Sequence, residues 1–319
     1  MIQLHQLIPT NLVEEKAKFF ADTSSNPQFK YSEPVPSDEL TYYGKPEQKL
    51  LALATHIADT HSPLYMLRMA MKEREEPLSN EAIRALTEEY LQDIGLADRY
   101  NIEFKENAVS RCSIKAEVIT FRKSTDYISL TLAATLNHEL GTHALRRVND
   151  EKQPWHGKRR ASGFQNHLLT EEGLAILHQQ LEHRIPTLYN SAVRYLAVAF
   201  TLQHSFAELW QWLTPLIRSD EKRWSMCFRA KRGLTDTSQN GGFTKDLTYF
   251  SGAYYVSQWL ANHDFDLPSL YLGRIAIEDV ERAKVLTPNT NITLPTFFSE
   301  NPIEYATKIQ RIRAVNDFV

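Results

Sequence analysis

Residues 137–147 read Asn-His-Glu-Leu-Gly-Thr-His-Ala-Leu-Arg-Arg, and this stretch decides how the rest of the sequence is interpreted. It differs by one residue from the motif H-E-x-x-H, in which two histidines one helical turn apart bind a metal ion. His138 and His143 are five positions apart. On a regular α-helix, side chains at i and i+5 diverge by roughly 140°, so these imidazoles could not share one ion.

A widened turn would remove this conflict. One added residue within a turn, a π-bulge, brings positions i and i+5 back to one face, and such bulges are frequent at functional sites. Gly141 lies inside this turn and tolerates a distorted backbone. Leu132, Leu136 and Leu140 step by four, and Leu145 continues their stripe only if one extra residue is absorbed. The leucine and histidine spacings therefore predict the same insertion.

A second histidine pair shows how little the spacing says alone. His56 and His61 are also five apart, but no glutamate follows His56 and no glycine lies between them. We interpret that pair as surface or helix-end histidines. From spacing alone, His138 and His143 are open to two interpretations, a metal site and a chance pair.

A catalytic zinc site also needs a third protein ligand and an open position for water. Residues 169–176 read Leu-Thr-Glu-Glu-Gly-Leu-Ala-Ile, and Thr170 is the predicted N-cap of a helix that runs to about Arg184. Glu171 and Glu172 would then lie in the first turn. Carboxylates there can bind a metal or simply oppose the helix dipole, and the residues leave both roles open.

Composition and charge exclude several classes of protein. The chain has 319 residues, of which 42% are hydrophobic and 24% charged, so we expect a folded protein with an ample core. A net charge of -3 predicts neither nucleic acid nor membrane as a partner. There is no apolar run long enough for a spanning helix and no signal-peptide pattern. Cys112 and Cys227 form no C-x-x-C pair, which is typical of a cytoplasmic protein.

Hydrophobic periodicity predicts a mostly helical α+β protein, with a small antiparallel or mixed sheet next to the histidine helix. We expect one compact unit over residues 1–319, with an N-terminal segment (1–45), a central part (46–150) and a helical half (151–319). The expected strands are Ile102–Phe104, Val118–Phe121 and Tyr127–Leu130, and the expected helices begin near Pro46 and after the N-cap Ser79 and cover 190–213, 269–284 and 301–314.

The pair of motifs resembles a known family. His-Glu-Leu-Gly-Thr-His at 138–143 and Glu-Glu-Gly-Leu-Ala at 171–175 resemble the H-E-x-x-x-H and [QE]-E-G-L-A motifs of the microtubule-associated tyrosine carboxypeptidases, whose bacterial members are the QEGLA-motif proteins. Residues 229–234 and 242–249 also resemble a block of that family. The resemblance extends from about residue 30 onward, and it is the combination of motifs that is specific.

This resemblance implies a zincin-like fold and one zinc ion held by His138, His143 and Glu172, with Glu139 as the general base. Glu171 stands where the bacterial motif has glutamine, and we expect it to contact no ligand. The implied activity is removal of the last residue from the C-terminus of a peptide or protein. Eukaryotic relatives act on tubulin and carry long N-terminal extensions that this sequence lacks, so tubulin is not the expected substrate.

Two further kinds of residue would complete such a site. An oxyanion stabiliser is needed beside the metal, and the candidates are Tyr249, Tyr254 and Arg229. A carboxypeptidase also needs a cation for the terminal carboxylate, and the basic stretch after residue 218 supplies candidates. The candidates for this substrate-binding role are Arg229, Lys231, Arg232 and Lys245. A solvated basic surface would explain the same stretch.

The interactions behind the metal ligands are open in the sequence. A zinc-binding histidine usually donates its second N–H to a carboxylate or a carbonyl group. Asn137, Asp246 and Arg146 are the candidates for this supporting role. Two other functions also remain open: a catalytically silent regulatory protein, and a zinc endopeptidase or amidase.

Overall fold

The structure is a computed structural model that describes residues 2–106, 108, 110–123, 127–287 and 291–318. It is mostly helical, as the sequence predicts. The α-helices are α1 Leu12–Ala21, α2 Ser37–Leu40, α3 Gln48–Lys72, α4 Asn80–Asp93, α5 Ser129–His138, α6 Leu145–Glu151, α7 Leu168–Gln179, α8 Tyr189–Thr201, α9 Phe206–Leu213, α10 Asp220–Lys231, α11 Leu247–Asn262, α12 Leu267–Leu270, α13 Val280–Leu286, α14 Thr296–Ser299 and α15 Pro302–Val315.

A small mixed sheet precedes the histidine motif. Its strands are β1 Asn101–Lys105, β2 Cys112–Lys115 and β3 Val118–Arg122, in the spatial order β1-β3-β2. β1 pairs with β3 in parallel, and β2 pairs with β3 antiparallel. Ile119 and Phe121 of the middle strand β3 are fully buried, and Ile102 of β1 and Cys112 of β2 are also buried. The predicted α+β class and mixed sheet are confirmed.

The chain forms two compact units, each assembled from separated stretches of sequence. The first contains residues 1–63 and 188–251. Its core contains a cluster of packed aromatic rings: the ring centroids of Phe206 and Trp210 lie 4.9 and 5.1 Å from that of Phe19, both in edge-on arrangements. Such pairs add to the free energy gained by burying the rings. The prediction of one catalytic unit over the whole chain stays a prediction.

The second unit contains residues 64–187 and 252–319, and includes the sheet and the histidine motif. α5 packs against α7, and β2 contacts the turn that follows α5. Leu132, Leu136, Leu140 and Leu145 are all buried, which is the continuous stripe expected from their spacing. This stripe fixes one face of the histidine helix against the core of the unit.

Two element predictions fail because capping side chains end or begin a helix. The helix predicted over 190–213 is interrupted between α8 and α9, where Ser205 and Glu208 form a capping box. The strand predicted over Tyr127–Leu130 does not form. Ser129 instead begins α5, and the backbone N–H of Ile128 donates to the hydroxyl oxygen of Thr131.

Three further expectations are corrected by the structure. The helix predicted over 269–284 is broken into α12, a 3₁₀ turn and α13. The predicted N-cap Thr170 lies inside α7, where its hydroxyl accepts the backbone N–H of Ile277. His61, expected at the surface or a helix end, is buried within α3. Helices near Pro46, after Ser79 and over 301–314 are present.

Across the described part of the chain, none of the helices combines the length and the apolar character that crossing a membrane requires.

Candidate metal centre

The histidine motif contains the widened turn that its spacing predicts. α5 ends at His138, a π-helix covers Glu139–Ala144, and α6 begins at Leu145. The backbone N–H of Leu145 donates to the carbonyl of Leu140, five residues earlier. The two imidazole rings consequently come together, with centroids 4.9 Å apart and planes at 78°. The prediction of a π-bulge at this site is confirmed.

Side-chain hydroxyl groups satisfy carbonyl groups around this turn. The Thr142 hydroxyl donates to the carbonyl of Asn137 at 2.8 Å and lies 2.7 Å from Nδ1 of His178. The Tyr271 hydroxyl donates to the carbonyl of Gly141 at 2.5 Å. A buried carbonyl without a partner would destabilise the fold, so these hydroxyls stabilise the widened turn.

Glycine at position 141 is required by close approach of neighbouring side chains. A β-carbon there would lie 2.5 Å from the Tyr90 hydroxyl oxygen and 2.8 Å from a ring carbon of Phe297. These distances are too short for real side chains, so any larger residue would displace either the turn or the Tyr90 and Phe297 side chains. Gly141 therefore serves packing in addition to backbone freedom.

Glu172 joins the two histidines from α7. Ligand atoms of His138, His143 and Glu172 all lie within 4.8 Å of one another. Oε2 of Glu172 is 3.8 Å from Nε2 of His143. Two imidazoles and one carboxylate form the donor set of a common class of catalytic zinc site, so the residues present fit that metal.

The position of α7 depends on the glycine that follows Glu172. Gly173 meets the backbone of Gly252 on α11 so closely that a β-carbon at either position would overlap the other backbone. This contact brings two helices of the same unit together at their backbones. It gives a structural reason for the glycine of the Glu-Glu-Gly-Leu-Ala motif.

Glu171 supports His143, contrary to the expectation that it contacts no ligand. Its Oε1 lies 3.0 Å from Nδ1 of His143, and its Oε2 accepts from the Arg146 guanidinium. Burial alone would raise the pKa of Glu171, but Arg146 and His143 hold it well below its usual value. The ionised carboxylate favours a proton on Nδ1 of His143, which leaves Nε2 for a metal ion.

Arg146, one of the three candidates for a supporting role, is the buried residue that holds Glu171 in place. It is fully buried and donates from Nε to the Leu270 carbonyl at 2.9 Å, and from a terminal nitrogen to the Ile275 carbonyl at 2.8 Å. With Glu171 it forms a buried ion pair, and each of its three guanidinium nitrogens has a hydrogen-bond acceptor. The chain of polar contacts from Arg146 through Glu171 to His143 could not be predicted from the sequence.

The other two candidates for support have different partners. The Asn137 side-chain oxygen accepts from the Tyr90 hydroxyl at 2.9 Å. Asp246 lies in the first unit and accepts two hydrogen bonds from the Arg229 guanidinium. The side chain near His138 is instead Gln179, whose Oε1 is 3.1 Å from Nδ1 of that histidine. Gln179 is a residue that sequence reasoning missed.

The predicted general base directly follows His138, the first candidate metal ligand. Glu139 is partly exposed and begins the π-helix, so solvent reaches it. Its charge acts on His143, on Tyr127 and on the buried thiol of Cys112. Glu139 is thus close enough to His143, a candidate metal ligand, to influence its pKa. Burial would lower that pKa, but Glu171, Glu172 and Glu139 raise it to about 9.

The predicted oxyanion stabilisers are divided between the two units. Tyr254 belongs to the second unit and is buried, with its ring 5.3 Å from that of Phe318. Tyr249 belongs to the first unit, where its ring lies 5.9 Å from the Arg194 guanidinium and its hydroxyl is hydrogen-bonded to Arg229. The catalytic roles of both tyrosines stay predictions.

The predicted substrate-binding cations all lie in the first unit. Arg229 forms a two-point ion pair with Asp246, at 2.8 and 2.6 Å. Lys231 is fully buried, and its ammonium group donates to the Gln239 carbonyl at 2.6 Å. Arg232 is also buried, whereas Lys245 is partly exposed. Their role in binding substrate stays a prediction.

Comparison with known proteins gives one consistent result. The family model described as Microtubule-associated tyrosine carboxypeptidase matches residues 27–315. Proteins named Microtubule-associated tyrosine carboxypeptidase 1 from Mus musculus and Homo sapiens are each 32% identical, and one from Rattus norvegicus is 31% identical. Each alignment covers 97% of this chain and 68%, 67% and 68% of the respective relative.

The matched region contains every residue of the candidate metal centre, from His138 to Glu172. The family match and the identity to these relatives agree with the family resemblance of the motifs at 138–143 and 171–175. In the structure, residues of these two motifs come together. The chain therefore belongs to the microtubule-associated tyrosine carboxypeptidase family.

Proposed function

We propose that the protein is a zinc-dependent carboxypeptidase of zincin-like fold that hydrolyses the C-terminal peptide bond of a peptide or protein. The observation that carries this proposal is the convergence of His138, His143 and Glu172 at a π-helical turn. The names of the relatives support a substrate with a C-terminal tyrosine.

The three ligands would hold one zinc ion, with His138 and His143 oriented by Gln179 and Glu171. A bound zinc ion supplies Lewis-acid polarisation and makes water a nucleophile near neutral pH. Glu139 takes the proton of the attacking water as the new C–O bond forms at the scissile carbonyl carbon. It then delivers that proton to the amine nitrogen as the C–N bond breaks. The products are a shortened peptide and a free amino acid.

The proposal is tested by incubating the zinc-loaded protein with an acetylated peptide that ends in tyrosine. We expect free tyrosine and the peptide shortened by one residue, both detected by mass spectrometry. Prior treatment with a chelator should stop the reaction, and added zinc should restore it. Cleavage at internal bonds would indicate an endopeptidase instead. A metal-free, folded and inactive protein would favour a silent regulatory protein.

We expect Glu171→Gln to weaken zinc binding about tenfold to hundredfold, because the amide supports His143 less well than a carboxylate does. The change also removes the principal counter-charge of the buried Arg146, which should lower the free energy of unfolding by about 3–5 kcal/mol. Zinc affinity is measured by competition with a chromophoric chelator, and unfolding by urea titration. Glu281→Gln, at a side chain that is 81% exposed, is the control. Unchanged affinity in Glu171→Gln would contradict a supporting role.

A further inference from the structure

A buried histidine behind the candidate metal centre makes contacts at both of its ring nitrogens. His178 lies on α7, the helix that carries Glu172, and is fully buried. Its Nδ1 is 2.7 Å from the Thr142 hydroxyl oxygen, and its Nε2 is 3.1 Å from the Tyr305 hydroxyl oxygen. Thr142 and Tyr305 are fully buried as well. Buried polar groups need hydrogen-bond partners, so the direction of each bond among these three side chains matters.

The directions of these hydrogen bonds follow from the carbonyl at their end. The Thr142 hydroxyl has one proton and donates it to the carbonyl of Asn137, which can only accept. The Thr142 oxygen must therefore accept from His178, so Nδ1 carries a proton. Burial, and then the charge of Arg146, lower the pKa of His178 well below its usual value, so the ring is neutral and Nε2 carries no proton. Nε2 consequently accepts from the Tyr305 hydroxyl.

The resulting chain of hydrogen bonds joins three separate segments of the second unit. It runs from Tyr305 on α15 through His178 on α7 to Thr142 in the π-helical turn. Burial raises the pKa of Tyr305 well above its usual value, so this hydroxyl keeps the proton that it donates. The last acceptor, the carbonyl of Asn137, belongs to the residue directly before the candidate ligand His138.

Thr142 bonds a carbonyl that lies one position further back than is usual for threonine in an α-helix. Threonine hydroxyls inside α-helices bond the carbonyl three or four residues earlier. Thr87 on α4 does so with the carbonyl of Ile83, at 2.6 Å. Thr142 bonds the carbonyl five residues earlier, at Asn137. The Nδ1–H of His178 occupies a lone pair of the Thr142 hydroxyl and so directs its proton toward that carbonyl.

We propose that His178 is the positioning residue of the π-helical turn and holds the turn in its widened form through Thr142. Without this hydrogen bond the Thr142 hydroxyl could rotate, and the buried carbonyl of Asn137 would lose its partner. The turn could then return toward a regular helix, in which side chains at i and i+5 diverge. The consequence for zinc binding by His138 and His143 rests on the proposed function, whereas the effect on the turn does not.

Two variants of His178 separate hydrogen bonding from packing. Asparagine places an amide N–H near the position of Nδ1, so His178→Asn still donates to Thr142 but no longer reaches Tyr305. Glutamine extends to the position of Nε2, so His178→Gln keeps a partner for Tyr305 but loses the donor to Thr142. Asparagine is the smaller residue, so a role in packing alone would make His178→Asn the more damaging change. The proposed role predicts the reverse order.

The turn is followed in the zinc-free full chain by hydrogen–deuterium exchange of the backbone amides of Glu139–Ala144, measured by mass spectrometry. We expect His178→Gln to speed this exchange about tenfold and His178→Asn to stay within about twofold of the wild type, as loss or retention of one buried hydrogen bond implies. Zinc affinity, measured by competition with a chromophoric chelator, should fall about tenfold in His178→Gln alone. Equal exchange in the two variants, or faster exchange in His178→Asn, would overturn the proposal.

Variants of Thr142 carry the test if His178→Gln does not fold, as judged by circular dichroism. Thr142→Val removes the hydroxyl and should speed exchange at the turn about tenfold, whereas Thr142→Ser keeps the hydroxyl and should not. Thr87→Val is the matched control, because the Thr87 hydroxyl is equally buried and also bonds a helix carbonyl, but on α4. It should leave exchange at the turn unchanged. Unchanged exchange in Thr142→Val would reject the role of this hydroxyl and with it the proposal.

The proton position on His178 gives a measurement that needs no destabilising variant. Nitrogen NMR of the histidine-labelled wild-type chain should show a neutral His178 ring with its proton on Nδ1, and the signal is assigned by its absence in His178→Asn. A proton on Nε2, or on both nitrogens, would contradict the hydrogen-bond chain.

Failure of the proposed function would look different. If the wild-type protein bound no zinc but exchange at the turn still depended on His178, the positioning role would stand and the metal centre would be rejected. If zinc were bound and tyrosine released, but His178→Gln changed neither exchange nor zinc affinity, the metal centre would stand and the positioning role would be rejected.

Discussion

Glu139→Gln is expected to slow peptide hydrolysis about 10²–10⁴-fold, because a neutral amide cannot accept the proton of the attacking water. Bound metal should be unchanged, since Glu139 is not among the three residues whose ligand atoms converge. Glutamine has nearly the shape of glutamate, so the π-helical turn should be preserved. The rate is measured as tyrosine released per mole of zinc-loaded protein.

Glu88→Gln on α4 is the matched control, because that side chain is 54% exposed and lies outside the metal centre. Full activity in Glu139→Gln would reject this residue as the base. Loss of metal along with activity would place Glu139 among the ligands instead. A wild-type protein that is as slow as Glu139→Gln would favour the silent regulatory alternative.

His143→Ala is expected to reduce bound zinc from about one ion per chain to about a tenth or less, and to abolish hydrolysis. The change removes one of three ligands and also the group that Glu171 supports. Metal content is measured by elemental mass spectrometry after dialysis against a weak chelator.

His56→Ala is an informative control for this experiment. His56 and His61 share the five-residue spacing of the metal pair, but both lie on α3, within a continuous α-helix. Replacing His56 should leave both zinc content and activity unchanged. If His143→Ala retained one zinc per chain, the ligand set of the candidate metal centre would be wrong.

The spacing of residues along the sequence was sufficient to predict the π-helical turn at Glu139–Ala144. The five-residue step from Leu140 to Leu145 and the step from His138 to His143 each require one extra residue in the turn, and Gly141 permits it. These are short-range constraints, and hydrophobic periodicity reports them directly. The choice of Glu172 as third ligand depended instead on the family resemblance.

Long-range contacts explain what the sequence did not show. Arg146 holds Glu171 and also two carbonyls, those of Leu270 and Ile275. The Ile275 carbonyl lies in the non-helical stretch where the predicted 269–284 helix is broken. Helical periodicity there gave no sign of this tertiary contact. Glu171, adjacent to Glu172, was likewise interpreted only through its position at a helix start.

One missed boundary had a signal in the sequence. Ser205 and Glu208 are three residues apart before an apolar run, which is the pattern of a capping box. The apolar stripe across 190–213 obscured it, because the stripe continues through the interruption. The burial of Lys231 and Arg232 had no such signal, since a basic stretch in a sequence does not reveal which of its side chains are buried.

The central claim is that two histidines on a π-helical turn and one glutamate on α7 bind a single zinc ion. X-ray absorption at the zinc edge of the purified protein tests it most directly. We predict a first shell of nitrogen and oxygen neighbours at about 2.0–2.2 Å, with an imidazole scattering pattern equivalent to two histidines. A shell containing sulfur at about 2.3 Å, which Cys112 near Glu139 could supply, would contradict the account, as would zinc bound without histidine.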